Sequence, residues 1–225
     1  MLALACALPA TETVVLLHGL GRTPVSMQRM ATTLEREGYR VVNLRYSSRT
    51  AALETLAHEW LPARMREIDA TRVHFVTHSM GGIVLRLWLR DHGVPPNLGR
   101  VVMLAPPNAG SEVADRLAGF APFWWFTGRN GRRLGTSADA LPHSLGAWPA
   151  SAPELGVIAG DRSLNPLFSS WLPGADDGKV TVAATHLAGE SDHVTLHHSH
   201  TWLAWRSPTI QHVNAFLRTG RFPGR

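Results

Sequence analysis

Residues 73–82 read Val73-His74-Phe75-Val76-Thr77-His78-Ser79-Met80-Gly81-Gly82. A short β-rich run breaks here into small residues, with one serine at the break. A strand that turns sharply into a helix at such a point pushes the serine Oγ clear of the backbone. It also aims the N–H groups that follow at the same spot. The layout predicts a nucleophile elbow with Ser79 as the nucleophile, although the pattern is T-H-S-M-G and not the full G-x-S-x-G.

Upstream, residues 14–21 read Val-Val-Leu-Leu-His-Gly-Leu-Gly. The apolar run is short enough for a buried parallel strand, and the glycines that end it let backbone approach a ligand closely. Two strand-then-turn units therefore precede the middle of the chain. The N–H of Met80, after the serine, and the N–H of Leu20, after His18-Gly19, are the expected pair of oxyanion donors. His18 is expected to tie its loop down and not to carry a proton.

Three blocks carry a resemblance: His18-Gly19-Leu20-Gly21, Thr77-His78-Ser79-Met80-Gly81-Gly82, and Ala105-Pro106-Pro107-Asn108-Ala109-Gly110-Ser111. A fourth is Asp177-Gly178-Lys179-Val180 followed by His200-Thr201. Together they resemble the α/β-hydrolase superfamily, in the compact lipase and esterase branch that holds class 2 lipases and GPI inositol-deacylase-like hydrolases. The resemblance implies a three-layer α/β fold, with a mainly parallel central sheet, helices on both faces and a small cap or lid insertion. It also implies ester hydrolysis without a cofactor or metal. Thr77 departs from the glycine common in that branch, and its larger side chain crowds a strained turn.

In that fold the triad runs Ser, then Asp or Glu, then His along the chain. Asp161, Asp176, Asp177 and Glu190 compete for the acid. Asp177 resembles the family acid, in the loop before a short returning strand suggested by Val180 and Val182; Asp161 is the alternative. For the base, His193, His197, His198 and His200 read as one loop before the last helix. Ser199-His200-Thr201 resembles the family base position, which makes His200 the choice and His193 the alternative. His78 adjoins the nucleophile, but neighbouring side chains on a sharp turn diverge, so a packing role is expected. A histidine base implies activity that rises with pH as the imidazole loses its proton. The imidazole cluster lacks the H-E-x-x-H register and a partner cysteine, so no metal site is assigned.

At 225 residues and 44% hydrophobic, the chain can bury one sizeable core, and residues 11–225 read as one domain. The net charge of +5 suits anionic surfaces or substrates, but scattered arginines give little support to nucleic-acid binding. A small-molecule or lipid ester is the expected substrate, and a monomer is the default. Cys6 alone forms no intrachain disulfide. Residues 1–10 resemble the end of a secretory signal without its basic start. Export, periplasmic or secreted, is expected if the natural start lies upstream, and a cytoplasmic location otherwise.

Strand and helix patterns alternate along the chain, as a parallel sheet covered on both faces requires. Thr23-Pro24 is expected to cap a helix with Met27, Met30, Ala31 and Leu34 on one face. Leu53, Leu56, Ala57 and Trp60 repeat that spacing until Pro62, which should kink or end the element. Further strands are expected at Arg40 to Leu44, Val101 to Leu104 and Leu155 to Ala159. Helices are expected from Ile83 to Leu89 and after Ser207-Pro208. Residues 119–153 break the rhythm with glycine, proline and Phe123, Trp124, Trp125, Phe126 and Trp148. They read either as a lid over an acyl pocket that touches lipid, or as ordinary packing of an irregular loop. Two other functions share the scaffold: transfer of the acyl group to an alcohol, and a catalytically inactive binding protein.

Overall fold

A computed structural model of the chain describes residues 12–121, 125 and 127–224; Phe123, Trp124, Phe126 and the 1–10 segment with Cys6 lie outside them. The strands are β1 (Thr13–Leu17), β2 (Arg40–Leu44), β3 (Val73–His78), β4 (Leu98–Leu104), β5 (Leu155–Gly160) and β6 (Asp192–Leu196). They form a six-stranded sheet in the order β2-β1-β3-β4-β5-β6. Every pairing is parallel.

Alternation along β1 sorts the core into two layers. Val14 and Leu16 face Met27, Met30 and Leu34 near α1 (Gln28–Arg36), with Ile210, Val213 and Phe216 of the terminal helix. Val15 and Leu17 face the other way. There they meet a second helix, α2, built from Leu53–Thr55, Leu56–Trp60 and Leu61–Arg66, and the elbow helix α3 (Met80–His92). Burying one Leu, Ile or Phe is worth about 1.5–3 kcal/mol, so both faces hold the sheet.

Several local expectations are revised. Thr23 makes no side-chain cap; Pro24–Met27 forms a 3₁₀ turn that leads into α1. Pro62 does not end α2. A π-helical stretch, Leu56–Trp60, precedes it, and the Leu61 N–H bonds to the Leu56 carbonyl five residues back. The wider turn accommodates a ring that would strike the carbonyl four residues upstream in a regular helix. The elbow helix begins at Met80 and runs past Leu89 to His92.

Further α-helices among the described residues are α4 (Glu112–Leu117), α5 (Leu141–Ser144), α6 (Pro166–Ser169), α7 (Val182–Thr185) and α8 (Ser207–Thr219). The short strand expected after Asp177 is absent among the described residues: one antiparallel bridge, Asp176 to Thr181, leads straight into α7. Residues 119–153 divide in role. Leu134, Leu141, Leu145 and Trp148 are buried in the core, while Trp125 is 76% exposed. Among the described residues no helix is long and apolar enough to cross a membrane.

Candidate active site

The site lies where the strand order reverses. From β1 the chain passes outward to β2 and then back across to β3, and loops at such a switch point part to leave a crevice at the strands' C-terminal edge. Leu17 of β1 is in register with Thr77 of β3, so His18-Gly19-Leu20 and His78-Ser79-Met80 leave the sheet side by side.

Ser79 sits at φ 54°, ψ −124°, between the end of β3 and the start of α3. Apart from Ala105 it is the one non-glycine residue at positive φ among those described, the strain expected of an elbow. Its N–H is held by the Leu104 carbonyl at 2.8 Å. Thr77 is accommodated because Gly82 yields the space: a Cβ there would lie 3.2 Å from Thr77 Oγ1 and 3.2 Å from Met103 Sδ. Among the described residues neither the Leu20 nor the Met80 N–H is bound to an acceptor.

His200 and Asp177 meet beside the elbow. His200 Nδ1 lies 2.7 Å from Asp177 Oδ2, and both side chains are buried. Asp177 Oδ1 accepts from the N–H groups of Lys179 at 3.0 Å and Val180 at 2.9 Å. Both oxygens of the carboxylate are thus engaged. With Nδ1 engaged, Nε2 is the nitrogen left for a hydroxyl. Among the described residues Ser79 Oγ makes no hydrogen bond, a looseness common where no substrate is present. Gly160, at the end of β5, makes this convergence possible: a Cβ there would stand 2.3 Å from the His198 carbonyl oxygen and 3.0 Å from Asp177 Cβ.

Ser79, His78 and His200 line one cavity of about 300 Å³. Its walls are apolar, from Leu20, Val113, Ala114, Leu117, Leu134 and Phe168, with Arg22 and Lys179 as its charged members. His78 does not point away as expected. It is buried, lines the cavity, and donates from Nε2 to the His200 carbonyl at 3.0 Å. Burial, then the charges of His200, Lys179 and Arg22, hold its pKa well below the usual imidazole range. It is therefore neutral and acts on the backbone of the neighbouring histidine.

His18 is buried outside the cavity lining, its ring stacked on Tyr46 at 4.1 Å and 8°. The Tyr46 hydroxyl donates to the His18 carbonyl, so His18 ties the loop as expected. The structure does not bring His193 or Asp161 to Ser79. His193 belongs to β6 and not to the final loop, and it meets Thr185 Oγ1 at 2.9 Å. Asp161 pairs with His197 Nδ1 at 2.9 Å near the surface. Asp176 accepts from Ser169 Oγ and the Gly178 N–H.

Among the described residues His186, Glu190 and His193 form a cluster whose donor atoms lie within 4.8 Å of one another. Its imidazoles are stacked at 3.8 Å and 17°. Ring lone pairs lie in the ring planes, and near-parallel planes so far apart do not converge on one ion, so the arrangement as it stands does not fit a metal.

The sequence reading missed three contributors. Arg22 is placed by a bond from Nη2 to Thr201 Oγ1 at 3.1 Å. Lys179 stands in the Asp177-Gly178-Lys179-Val180 block with no role assigned to it, although it is the only lysine among the chain's 22 basic residues. Arg86, buried within α3, donates to Asn108, Pro142 and Gly146 and so ties the helix to the loop after β4 and to α5. An arginine inside an otherwise apolar helix was the signal available for it.

A family model described as the alpha/beta hydrolase fold matches residues 12–138, more than half of the chain. No curated protein matches by sequence. Among solved structures, the mature lipase BlEst2 of Bacillus licheniformis superposes with a TM-score of 0.68 at 19% identity, covering 95% of this chain and 94% of that one. The metagenomic carboxyl esterase MGS0156 gives 0.65 at 19% identity, over 96% of this chain and 73% of that one. The phospholipase PlaB of Legionella pneumophila gives 0.62 at 22% identity, over 78% of this chain and 46% of that one. At these identities the likeness is one of fold. The family match, the parallel sheet and the strained serine turn together make this chain a member of the alpha/beta hydrolase fold family.

Proposed function

We propose that the chain is a serine hydrolase of lipophilic carboxylic esters, with Ser79 as nucleophile, His200 as base, Asp177 as its orienting acid, and the Leu20 and Met80 N–H groups as oxyanion donors. The observation that carries this reading is the buried 2.7 Å contact between His200 Nδ1 and Asp177 Oδ2, in a cavity that Ser79 shares with His200. His200 Nε2 takes the Ser79 proton as Oγ attacks the ester carbonyl. The two amides stabilise the oxyanion, and the intermediate collapses as His200 returns the proton to the departing alcohol. Water, deprotonated by the same imidazole, then cleaves the acyl-enzyme and restores the Ser79 hydroxyl.

The surface around the cavity supports a lipophilic substrate. Val25, Phe120, Trp125, Leu167 and Trp202 are exposed. Each lies within three positions of a cavity-lining residue, respectively Arg22, Leu117, Thr127, Phe168 and His200. A rim of exposed apolar side chains suits contact with a lipid surface. In this reading Phe120 and Trp125 are the part of 119–153 that joins the rim, while Leu134, Leu141, Leu145 and Trp148 pack in the core.

A fluorophosphonate probe on the wild type and Ser79→Ala, together with a p-nitrophenyl ester chain-length series, tests the proposal. Labelling is expected on the wild type alone, with turnover favouring longer acyl chains. Labelling that survives the substitution would remove Ser79 from its role. Labelling without turnover of any ester in water, but with transfer to an added alcohol, would favour an acyltransferase.

A further inference from the structure

The cavity carries an uncompensated charge pattern. Its lining includes two cationic side chains, Arg22 and Lys179, and among the described residues no carboxylate. Neither cation has an ion-pair partner within 4 Å among the described residues. Arg22 is held by its side chain and Lys179 by its backbone. Arg22 Nη2 donates to Thr201 beside the base. The Lys179 N–H donates to the acid Asp177, and its carbonyl accepts from Ser111 Oγ at 2.7 Å.

Two like charges against apolar walls raise each other's free energy. Burial first, then Arg22, lower the Lys179 pKa to about 8, against an opposing pull from Asp177. The ammonium is still mostly protonated at pH 7. Asp177 makes no direct ion pair with the ammonium; its oxygens meet His200 and two backbone N–H groups. In a chain that otherwise uses arginine throughout, the one lysine stands in this cavity. A compact ammonium beside a guanidinium is a donor set for a tetrahedral oxyanion.

We propose that Arg22 and Lys179 form an anion subsite of the Ser79 cavity, so that the ester taken there carries a phosphate group together with an apolar acyl chain. This rests on the ester-hydrolase reading and narrows its substrate class. The acyl chain lies against Val113, Ala114, Leu117 and Leu134, and the phosphate sits between the loops that carry Arg22 and Lys179. Strong perturbation of a titratable group inside a cleft is a general mark of a functional position.

Two matched substrate pairs test it: butyryl esters of glycerol and of glycerol 3-phosphate in solution, and phosphatidylcholine vesicles containing diacylglycerol or phosphatidic acid. The wild type should show kcat/KM at least tenfold higher on the soluble phosphate-bearing ester. Arg22→Gln and Lys179→Gln should each lower that ratio about tenfold, and Lys179→Arg should keep it. Preference in both pairs identifies the phosphate of a lipid headgroup, and preference in the soluble pair alone identifies a soluble phosphoester. Preference on vesicles alone, equal rates within the soluble pair, or a ratio untouched by both glutamine variants overturns the subsite.

A second measurement needs no turnover. Amine acylation of Lys179, read by mass spectrometry on its peptide, should be slowed by hexyl phosphate and not by hexanol. Lack of that protection also overturns the proposal. Failure of the ester-hydrolase reading looks different, since Ser79 would then resist the fluorophosphonate probe.

Discussion

His200 and Asp177 are joined twice: Nδ1 lies 2.7 Å from Oδ2, and the His200 N–H donates to the Asp177 carbonyl at 3.0 Å. The main-chain contact holds the two backbones at the spacing that lets the imidazole and the carboxylate meet. Asp177→Asn should keep the fold, because the amide oxygen can still accept from Lys179 and Val180. It would set an NH₂ group against Nδ1 and favour the wrong tautomer. Hydrolysis should fall roughly 10³–10⁴-fold in kcat, with a melting temperature close to wild type. An Asn variant with normal kcat would strip Asp177 of its role.

Gly160 lets the loops that carry Asp177 and His200 close on each other. A methyl group at this position meets the His198 carbonyl oxygen at 2.3 Å and Asp177 Cβ at 3.0 Å, neither of which is the end of a flexible side chain. Gly160→Ala should therefore cost about 1–3 kcal/mol in urea unfolding and lower kcat by more than tenfold. A displacement of about 1 Å at a reacting pair suffices for the latter. An alanine variant with wild-type rate and midpoint would contradict this packing.

Three buried histidines make the fold acid-sensitive. Burial lowers the pKa values of His18, His74 and His78 in the folded state, below the free value of about 6.5. Above that pH both states are neutral and stability is unaffected by these groups. As pH falls below it, the unfolded chain takes up protons that the folded chain refuses. Stability then drops, by up to about 1.4 kcal/mol per pH unit for each histidine. Urea midpoints measured at pH 7, 6 and 5 should fall progressively, and His74→Gln should reduce the slope. A constant midpoint over that range would contradict the sign.

Arg86 holds α3 to two loops through neutral acceptors alone: the Asn108 carbonyl and Oδ1, and the carbonyls of Pro142 and Gly146. Burial lowers its pKa to about 10, so it remains charged at neutral pH. Arg86→Met should leave these acceptors unpaired and cost about 2–4 kcal/mol by chemical denaturation. Proteolysis within residues 140–147 should also accelerate. Unchanged stability would mean that water replaces the guanidinium without penalty.

Trp125 and Trp202 are 76% and 47% exposed, and each lies two positions from a residue that lines the cavity, Thr127 and His200. Replacing both by alanine should weaken adsorption to phosphatidylcholine vesicles by about tenfold or more, given the apolar area each ring offers. Hydrolysis of a soluble acetate ester should change much less. Equal loss on both substrates would assign the rings to packing.

Much of this molecule was legible in its sequence because the signals were local. The run into Ser79 marked both a buried strand and its breaking point, and the unbroken apolar run Val14 to Leu17 marked a buried parallel strand. Pro62 does not end its helix, because a widened turn ahead of it makes room for the ring, and the residue pattern does not announce that turn. Likewise Val180 and Val182 alternate as a strand would, yet Thr181 caps a helix there through its hydroxyl.

The residue pattern alone carried a parallel α/β architecture and a serine on a strained turn, since strand periodicity and turn chemistry act over a few residues. Only the tertiary structure decided which of several acids and histidines meet, because Asp177 and His200 lie 23 positions apart and are joined by loops whose approach depends on Gly160. Only it brought Arg22 and Lys179 to one cavity. Such charges gather by the docking of distant loops at a sheet edge, and sequence spacing does not encode that distance.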